Sequence, residues 1–372
     1  APHAPYLVAE KYSKPYLDRG LSPTMAAFYG MITNLDENVA LLRSRLRELG
    51  LEENTIFIYM TDNGSAAGFG PRVESERWKG FNAGMRGVKG APYEGGHRVP
   101  FFIRWPGGGL GKPRDIPRLA AHIDVLPTLI DLVGLAAPKA AHFDGVSLAP
   151  LLTGKGSFPP DRTHFVQHNQ IVVDGKYQME QPQLWRNAAV LTERWRLVNG
   201  RELFDIQRDP GQTTDIAARH PQEVAKLRMS YERWHADVSR NWSDPPRIVI
   251  GSDKENPAEL TCFDWHAERL PANQEAVRQD PEANGYWHLE VERAGKYEIT
   301  LRHRPAVAGF PIAAAAARLK IGASDQTSQV KPGATSVTFR VDLQAGPARL
   351  KTWLTEASGK SRGAFYVQAR RI

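Results

Sequence analysis

The sequence has little cysteine and no long apolar run. Of its 372 residues only Cys262 is a cysteine, which excludes an intramolecular disulfide and leaves the redox compartment open. No apolar stretch approaches the ~18 residues of a membrane-spanning helix, so the sequence predicts no membrane partner. The opening Ala1-Pro2-His3-Ala4-Pro5 has no signal-peptide features. We expect processing or truncation to have removed what preceded it.

Net positive charge is confined to the C-terminal part of the chain. The formal net charge is +7, and residues 318–372 hold ten Lys or Arg against three Asp or Glu, so the first 317 residues are neutral. A basic segment of this kind could concentrate an anionic polymer. It could equally be a solvated face without a ligand.

The N-terminal third has the pattern of an α/β domain. Apolar residues at spacings of three and four over 24–49 predict a helix with one face against a core. The β-branched and aromatic run 55–60 predicts a buried strand that stops at Thr61-Asp62-Asn63-Gly64. In α/β sheets ligands bind beyond the carboxyl ends of strands, which is where Asp62 and Asn63 lie.

Further along the chain, two kinds of pattern alternate. Periodicity predicts helices over 124–132 and 221–238, and strands over 99–105 and 202–205. Beyond about residue 246 come short alternating runs between turn residues, which is typical of a small β-sandwich. These runs are 286–291, 296–301, 317–321, 337–341, 349–354 and 364–368.

Four side chains are candidates for chemistry. Asp62 and Asn63 offer the oxygen ligands that hard cations prefer, although Asp-Asn-Gly is also an ordinary turn. Lys89, between flexible glycines, could approach an anion closely or remain a solvated loop lysine. His3 could act as an acid or base, or be frayed at the chain end. Asp124 has the position of a helix N-cap.

Over about the first 240 residues the sequence resembles the formylglycine-dependent sulfatases, which are arylsulfatase-like members of the alkaline phosphatase superfamily. Seven stretches in the right order carry the resemblance. They begin at Ala1 (APHAP), Tyr29 (YGMITNLD), Thr61 (TDNG), Lys89 (KGAPYEGGHRVP), Ile123 (IDVLPT), Phe143 (FDGVSL) and Glu202 (ELFD).

The resemblance implies roles for the four candidates. Asp62 and Asn63 would be ligands of an active-site Ca²⁺, with Mg²⁺ as the alternative, and Lys89 would contact the sulfate. His3 would contact the sulfate and the leaving-group region. The family nucleophile is a hydrated formylglycine made from Cys or Ser in a Cys/Ser-x-Pro-x-Arg motif. Cys262 lacks the proline and the arginine, so we expect formylglycine and the paired aspartates of the metal site in a missing upstream segment.

Pattern and resemblance together predict an α/β fold in three parts. Residues 1–155 would be the C-terminal part of a sulfatase/alkaline-phosphatase-like mixed-sheet domain. Residues 156–245 would form a small α+β subdomain with an antiparallel sheet and a helix, and residues 246–372 an all-β sandwich module. The family resemblance also implies a periplasmic or secreted protein.

The predicted function is hydrolysis of sulfate esters by the full-length parent, with this chain inactive alone. The substrate could be a sulfated polysaccharide, which the basic module favours, and no nucleic-acid partner is expected. One alternative is a phosphoryl or phosphonate ester hydrolase of the same superfamily; such enzymes typically carry Asp-His in place of Asp62-Asn63. Another is a non-catalytic carbohydrate-binding protein, which needs Trp287, Trp353 and Tyr366 on one exposed face.

Overall fold

The computed structural model describes residues 2–65, 80–168, 170–173, 176–179, 182–240, 242–267, 271 and 274–372. The chain forms two compact units. Unit 1 comprises Ala1–Asn169 with Gln181–Ala236, and unit 2 comprises Gln170–Glu180 with Asp237–Ile372. These two units do not test the predicted division of the chain into three parts, which stays a prediction. Within the described residues, no helix has the length and apolarity needed to cross a bilayer.

Unit 1 begins with two packed helices, α1 (Glu10–Leu17) and α2 (Pro23–Glu48). The predicted helix over 24–49 is confirmed. The Ser22 hydroxyl accepts the Met25 N–H at 3.3 Å, which satisfies one of the free donors of the first turn, and Pro23 occupies the first helical position. The other elements of this unit are β1 (Phe57–Met60), α3 (Glu94–His97), β2 (Phe101–Arg104), α4 (Val125–Val133), α5 (Ala149–Thr153), β3 (His164–Gln167), β6 (Ala188–Leu191), β7 (Trp195–Val198), β8 (Glu202–Asp205) and α6 (Pro221–Val238).

Two expectations about burial in this region were wrong. The C-terminal half of α2 does not lie against a core, because Leu42 and Leu49 are 52% and 51% exposed. Among the described residues, strand β1 has one neighbouring strand, the antiparallel β2, and no residue of β1 is buried. A sheet of two strands covers little surface, so Phe102 on β2 is 65% exposed.

A four-stranded antiparallel sheet, in the order β3-β6-β7-β8, forms the main core of unit 1. Helix α6, predicted from its periodicity, packs on one face through Leu227 and Tyr231 against Val190 and Leu197. The opposite face carries Phe204 and is covered by Tyr93 among others. The second face therefore holds the segment that follows Lys89.

Unit 2 is built from β-strands, and the six predicted strands are all present. Its elements are β4 (Gln170–Val173), β5 (Lys176–Met179), β9 (Ile248–Ile250), β10 (Ala258–Thr261), α7 (Gln274–Arg278), β11 (Tyr286–Val291), β12 (Gly295–Arg302), β13 (Ala316–Ile321), β14 (Ser324–Gln329), β15 (Val337–Leu343), β16 (Gly346–Thr355), β17 (Ser361–Arg362) and β18 (Tyr366–Arg371). One sheet has the order β10-β18-β12-β15. A second has the order β14-β13-β16-β11-β9, with β17 paired to β16, and β4 and β5 form a separate two-stranded sheet.

The two larger sheets of unit 2 share one apolar core. Residues alternate between core and solvent along each strand, as a strand period of two requires. Trp287 is fully buried in that core, and Tyr366 is partly buried against it. Trp287 therefore cannot be a carbohydrate platform, which removes part of the basis for a purely carbohydrate-binding protein. Together with unit 1, these sheets confirm the predicted α/β class with a β-rich C-terminal part.

Candidate active site

Asp62, Asn63 and Gly64 come just after strand β1 and form one side of the candidate site. The Gly64 N–H donates to the Gly96 carbonyl at 3.0 Å. A side chain at Gly64 could not be accommodated, because its Cβ would lie 1.9 Å from the Gly95 carbonyl oxygen. The turn after β1 is thus held in backbone contact with α3.

Lys89 lies in a loop that is tied to the same turn. Its N–H donates to the Ser65 carbonyl at 3.2 Å. Gly87 and Gly90, on either side, have φ of +82° and +85°, a region that L-residues with side chains rarely adopt. These contacts bring the Lys89 loop beside the Asp62-Asn63 turn.

Buried ion pairs fix the segment that follows Lys89. The Glu94 carboxylate is 1% exposed and accepts from Arg196 Nε on β7 at 2.6 Å. The Arg98 guanidinium, four residues along the chain, is farther away at 3.4 Å, so it is the secondary contact of Glu94. Tyr93 donates its hydroxyl proton to Glu202 at 2.5 Å. Burial raises the pKa of Tyr93, and the Glu202 contact acts in the same direction.

His3 and Lys89 meet through their side chains. Lys89 Nζ lies 3.2 Å from His3 Nε2, and His3 Nδ1 lies 2.7 Å from the Ala4 carbonyl oxygen. An ammonium can only donate and a carbonyl can only accept. His3 therefore carries its proton on Nδ1 in this arrangement.

His97 is partly buried and Asp124 is fully buried, and both have structural surroundings. His97 Nε2 has no hydrogen-bond partner among the described residues, and burial lowers the pKa of this imidazole. Asp124 is not the side-chain N-cap predicted for α4. Its carboxylate instead accepts the Ala121 N–H and pairs with Arg162, because a fully buried carboxylate needs several donors.

His168 is a residue near the site that the sequence did not indicate. A Cβ on Gly90 would lie 3.6 Å from His168 Nε2, so this imidazole stands beside the Lys89 loop. It follows β3 directly in the chain. A lone histidine at the end of a short strand carries no sequence signal, because its proximity to residue 90 arises only from the packing of the loop on the sheet.

The described residues fit a hard cation in chemistry but do not complete its coordination. The Asn63 Nδ2 group donates to the Gly64 carbonyl at 3.0 Å, which leaves Oδ1 as the atom for a cation. No cluster of three or more His, Cys, Asp or Glu converges anywhere in the described ranges. Ca²⁺ takes about six to eight oxygen ligands, so Asp62 and Asn63 could supply only part of such a shell.

Comparison with known proteins identifies unit 1. The family description "Sulfatase" matches residues 1–135, and "N-sulphoglucosamine sulphohydrolase, C-terminal" matches residues 89–234. Residues 1–234 belong to the sulfatase family. The second match includes the Lys89 loop, α3, the four-stranded sheet and most of α6.

Curated relatives of this sulfatase region include an N-acetylgalactosamine-6-O-sulfatase of Bacteroides thetaiotaomicron, 31% identical over 209 residues, which are 53% of this chain and 39% of that protein. An arylsulfatase of Clostridium perfringens is 30% identical over 224 residues, which are 58% of this chain and 40% of that protein. The chain thus spans about two fifths of the length of these two relatives. The crystal structure of Ps i-CgsB with k-i-k-neocarrahexaose has a TM-score of 0.51 at 21% identity, over 63% of this chain and 48% of that chain. This likeness shows a shared fold.

Two residues outside the sulfatase region, Cys262 and Ser243, have the residue type from which the family nucleophile is made. Burial raises the pKa of the Cys262 thiol to about 11, so this cysteine is unreactive near neutral pH. The spacing Ser-x-Pro-x-Arg does occur in the chain, at Ser243-Asp244-Pro245-Pro246-Arg247. It belongs to unit 2 and lies beyond both family matches, so we assign it no catalytic role.

Proposed function

We propose that the chain is part of an enzyme that hydrolyses sulfate esters, and that it supplies one half of the active site. The observation that carries this proposal is the side-chain contact between Lys89 and His3. The loop that contains Lys89 is also hydrogen-bonded to the segment that follows Asp62 and Asn63. Lys89, Asp62 and Asn63 therefore lie within a few residues of the backbone contacts that join their two loops, and His3 reaches Lys89 through its side chain.

The chemistry of this half-site suits an anionic ester. A sulfate ester is negatively charged, and more charge develops on its oxygens as the S–O bond breaks. A cation stabilises that developing charge best when the cation is already held in position before the reaction. Lys89 supplies such a charge, and its loop is anchored to the folded core through Tyr93 and Glu94.

We infer that Asp62 and Asn63 contribute ligands to a Ca²⁺ ion in the whole protein. When bound, such a cation would neutralise charge on the sulfate. Asp62 is exposed, so its carboxylate is accessible to a cation. The nucleophile, a formylglycine by family resemblance, would come from a part of the whole protein outside these 372 residues.

A sulfated carbohydrate is the proposed substrate class. A curated relative named for action on N-acetylgalactosamine 6-O-sulfate is among the most similar proteins, and the net positive charge of residues 318–372 suits an anionic polymer. The phosphoryl-transfer alternative is not favoured, because Asn63 stands where the phosphatases of this superfamily typically carry histidine. A periplasmic or secreted location remains a prediction.

The test is to express the whole reading frame that contains this chain and to measure release of sulfate from 4-nitrophenyl sulfate. Turnover that is lost with a chelator and restored by Ca²⁺ is expected, with 4-nitrophenyl phosphate a poor substrate. The 372-residue chain, assayed alongside with Ca²⁺, should show no turnover. Turnover by the chain alone would refute the half-site, and preference for the phosphate ester would refute the sulfatase assignment.

A further inference from the structure

The solvent-facing side of one sheet in unit 2 carries an array of cationic and aromatic side chains. It is the sheet ordered β14-β13-β16-β11-β9. Alternation along each strand sends Leu350 and Leu354 into the core and their neighbours outward. The outward residues of β11, β13 and β16 define the outer face, and its aromatic and charged members are Tyr286, His288, Glu290, Arg318, Lys320, Arg349, Lys351 and Trp353.

Two lysines of the outer face lie directly opposite each other. Lys320 on β13 and Lys351 on β16 are register partners. Like charges in such cross-strand positions destabilise a sheet. Arg349 lies two residues before Lys351 on the same strand and face, which adds a third cation. The three cations therefore form one positively charged group on this face.

The nearby carboxylates pair with other cations. Glu290 of the outer face lies 3.9 Å from Arg247. Asp325 is the register partner of Lys320 on the other side, but both of its oxygens accept from Arg318 at 2.7 Å. Among the described residues, Lys320, Arg349 and Lys351 have no carboxylate within ion-pair distance. Their charge is therefore available to an anionic ligand.

The aromatic rings of the outer face are covered by cations. The Arg318 guanidinium lies 4.7 Å from the centre of the Trp353 ring, and Lys351 Nζ lies 5.4 Å from it. The Arg349 guanidinium lies 5.1 Å from the centre of the Tyr286 ring. Contacts of this kind hold the cationic groups in place above the sheet. They also occupy ring faces on which a nucleic-acid base would have to stack.

A cavity opens at one end of the outer face. It has a volume of about 260 Å³ and is lined in part by His288 and Arg349, which also belong to the face, and by Ser243 and Arg247. Arg247 is paired with Asp244 at 2.5 Å, so Arg349 is the available cation there. Burial, together with the nearby cationic and imidazole groups, lowers the pKa of His288, which leaves it neutral and able to hydrogen-bond at neutral pH. A cavity of this size has room for one sugar residue.

We propose that the outer face of unit 2, together with this cavity, is a binding site for a sulfated polysaccharide, built from residues other than those of the Lys89 loop. The choice of a sulfated glycan over other anions rests on the proposed function. The location of the site rests on the geometry alone. Sulfate groups spaced along a sugar chain would pair with Lys320, Lys351 and Arg349, and one sugar would enter the cavity.

The experiment measures binding of the full 372-residue chain to dextran sulfate, to unsulfated dextran and to single-stranded DNA by calorimetry at low salt. We expect binding to dextran sulfate that weakens as salt is added, and none to dextran. The variant Arg349→Ala/Lys351→Ala should bind dextran sulfate about tenfold more weakly or worse, given the typical contribution of a cation at an anionic surface.

A matched variant distinguishes binding at this site from a general effect of the net charge of the chain. Lys296→Ala/Arg370→Ala also removes one lysine and one arginine, from exposed positions on strands β12 and β18 of the other sheet, and should bind as the unaltered chain does. An equal loss in both variants, no binding to dextran sulfate, or tighter binding to DNA would each overturn the proposal. Because binding is measured without turnover, this outcome is independent of whether sulfate esters are hydrolysed.

Discussion

Lys89 Nζ lies 3.2 Å from His3 Nε2, although the two residues are 86 positions apart in the sequence. The contact joins a charged donor to a neutral imidazole, so the pair carries its positive charge on the lysine. The backbone N–H of the same lysine donates to the Ser65 carbonyl, so this charge belongs to a loop fixed beside the Asp62-Asn63 turn.

Replacing Lys89 tests this assignment most directly. In the whole protein, Lys89→Ala should lower kcat/KM for an aryl sulfate by about 10²- to 10³-fold, which is the usual cost of losing one group that stabilises developing charge. Lys112→Ala, at an exposed lysine of the same unit, is the matched control and should leave the rate unchanged. An unaltered kcat/KM in Lys89→Ala would remove Lys89 from the site.

Local sequence patterns predicted which residues form helices and strands better than they predicted what packs against those elements. Helix α2 and strand β11 follow from periodicity and from residues such as Ser22, because a cap and an apolar repeat act within a few residues. The exposure of Leu42 could not be predicted, since a repeat shows which face is apolar but not whether another element covers it.

The same limit applies to the site. Lys89 and His3 were found through motifs, yet the main partner of Glu94 was not, since Arg196 is 102 residues away and Arg98 is the only cation one helical turn along. His168 was missed for the same reason. Contacts that depend on how a loop packs against a sheet leave no local trace in the sequence.

Gly64 should be intolerant of any side chain. In Gly64→Ala the new Cβ would lie 1.9 Å from the backbone oxygen of Gly95, and a backbone atom cannot rotate away. We expect the free energy of unfolding of unit 1 to fall by about 3 kcal/mol, measured by urea denaturation. Gly211→Ala is the control, because its Cβ would have its nearest neighbour at 3.4 Å and the change should be small. Equal stability of the two variants would contradict the tight contact.

The buried pair of Glu94 and Arg196 should stabilise unit 1 far more than an exposed pair does. Arg196→Met leaves the Glu94 carboxylate without its closest partner and should cost about 3 kcal/mol in the free energy of unfolding. Arg45→Met removes the pair with Glu48, whose side chains are 65% and 61% exposed, and should cost less than about 1 kcal/mol.

A double-mutant cycle completes this test. Adding Glu94→Leu to Arg196→Met removes the stranded carboxylate, so the double variant should be more stable than the sum of the two single changes predicts. Strict additivity would show that the 2.6 Å contact contributes no coupling.

His164 should make unit 1 sensitive to mild acid. Burial, and then the neighbouring Arg162 guanidinium, lower the pKa of His164 to about 4 from an ordinary value of 6.5. Above pH 6.5 the imidazole is neutral in both states and has no effect. As the pH falls from 6.5 towards 4, the unfolded chain takes up a proton that the folded protein does not, so the free energy of unfolding decreases. For this group the slope approaches about 1.4 kcal/mol per pH unit.

The measurement compares urea unfolding of the unaltered chain and of His164→Gln at several pH values between 7 and about 5, where few carboxylates have yet titrated. Burial also lowers the pKa of His97 in unit 1 and of His266, His288 and His303 in unit 2, so the unaltered chain should lose stability with acid through all of these groups. His164→Gln should have the shallower slope, because only its own contribution is removed. His142→Gln, at an exposed histidine, should keep the full slope. If His164→Gln kept it as well, the imidazole of His164 would be accessible to protons in the folded state, and its burial beside Arg162 would be wrong.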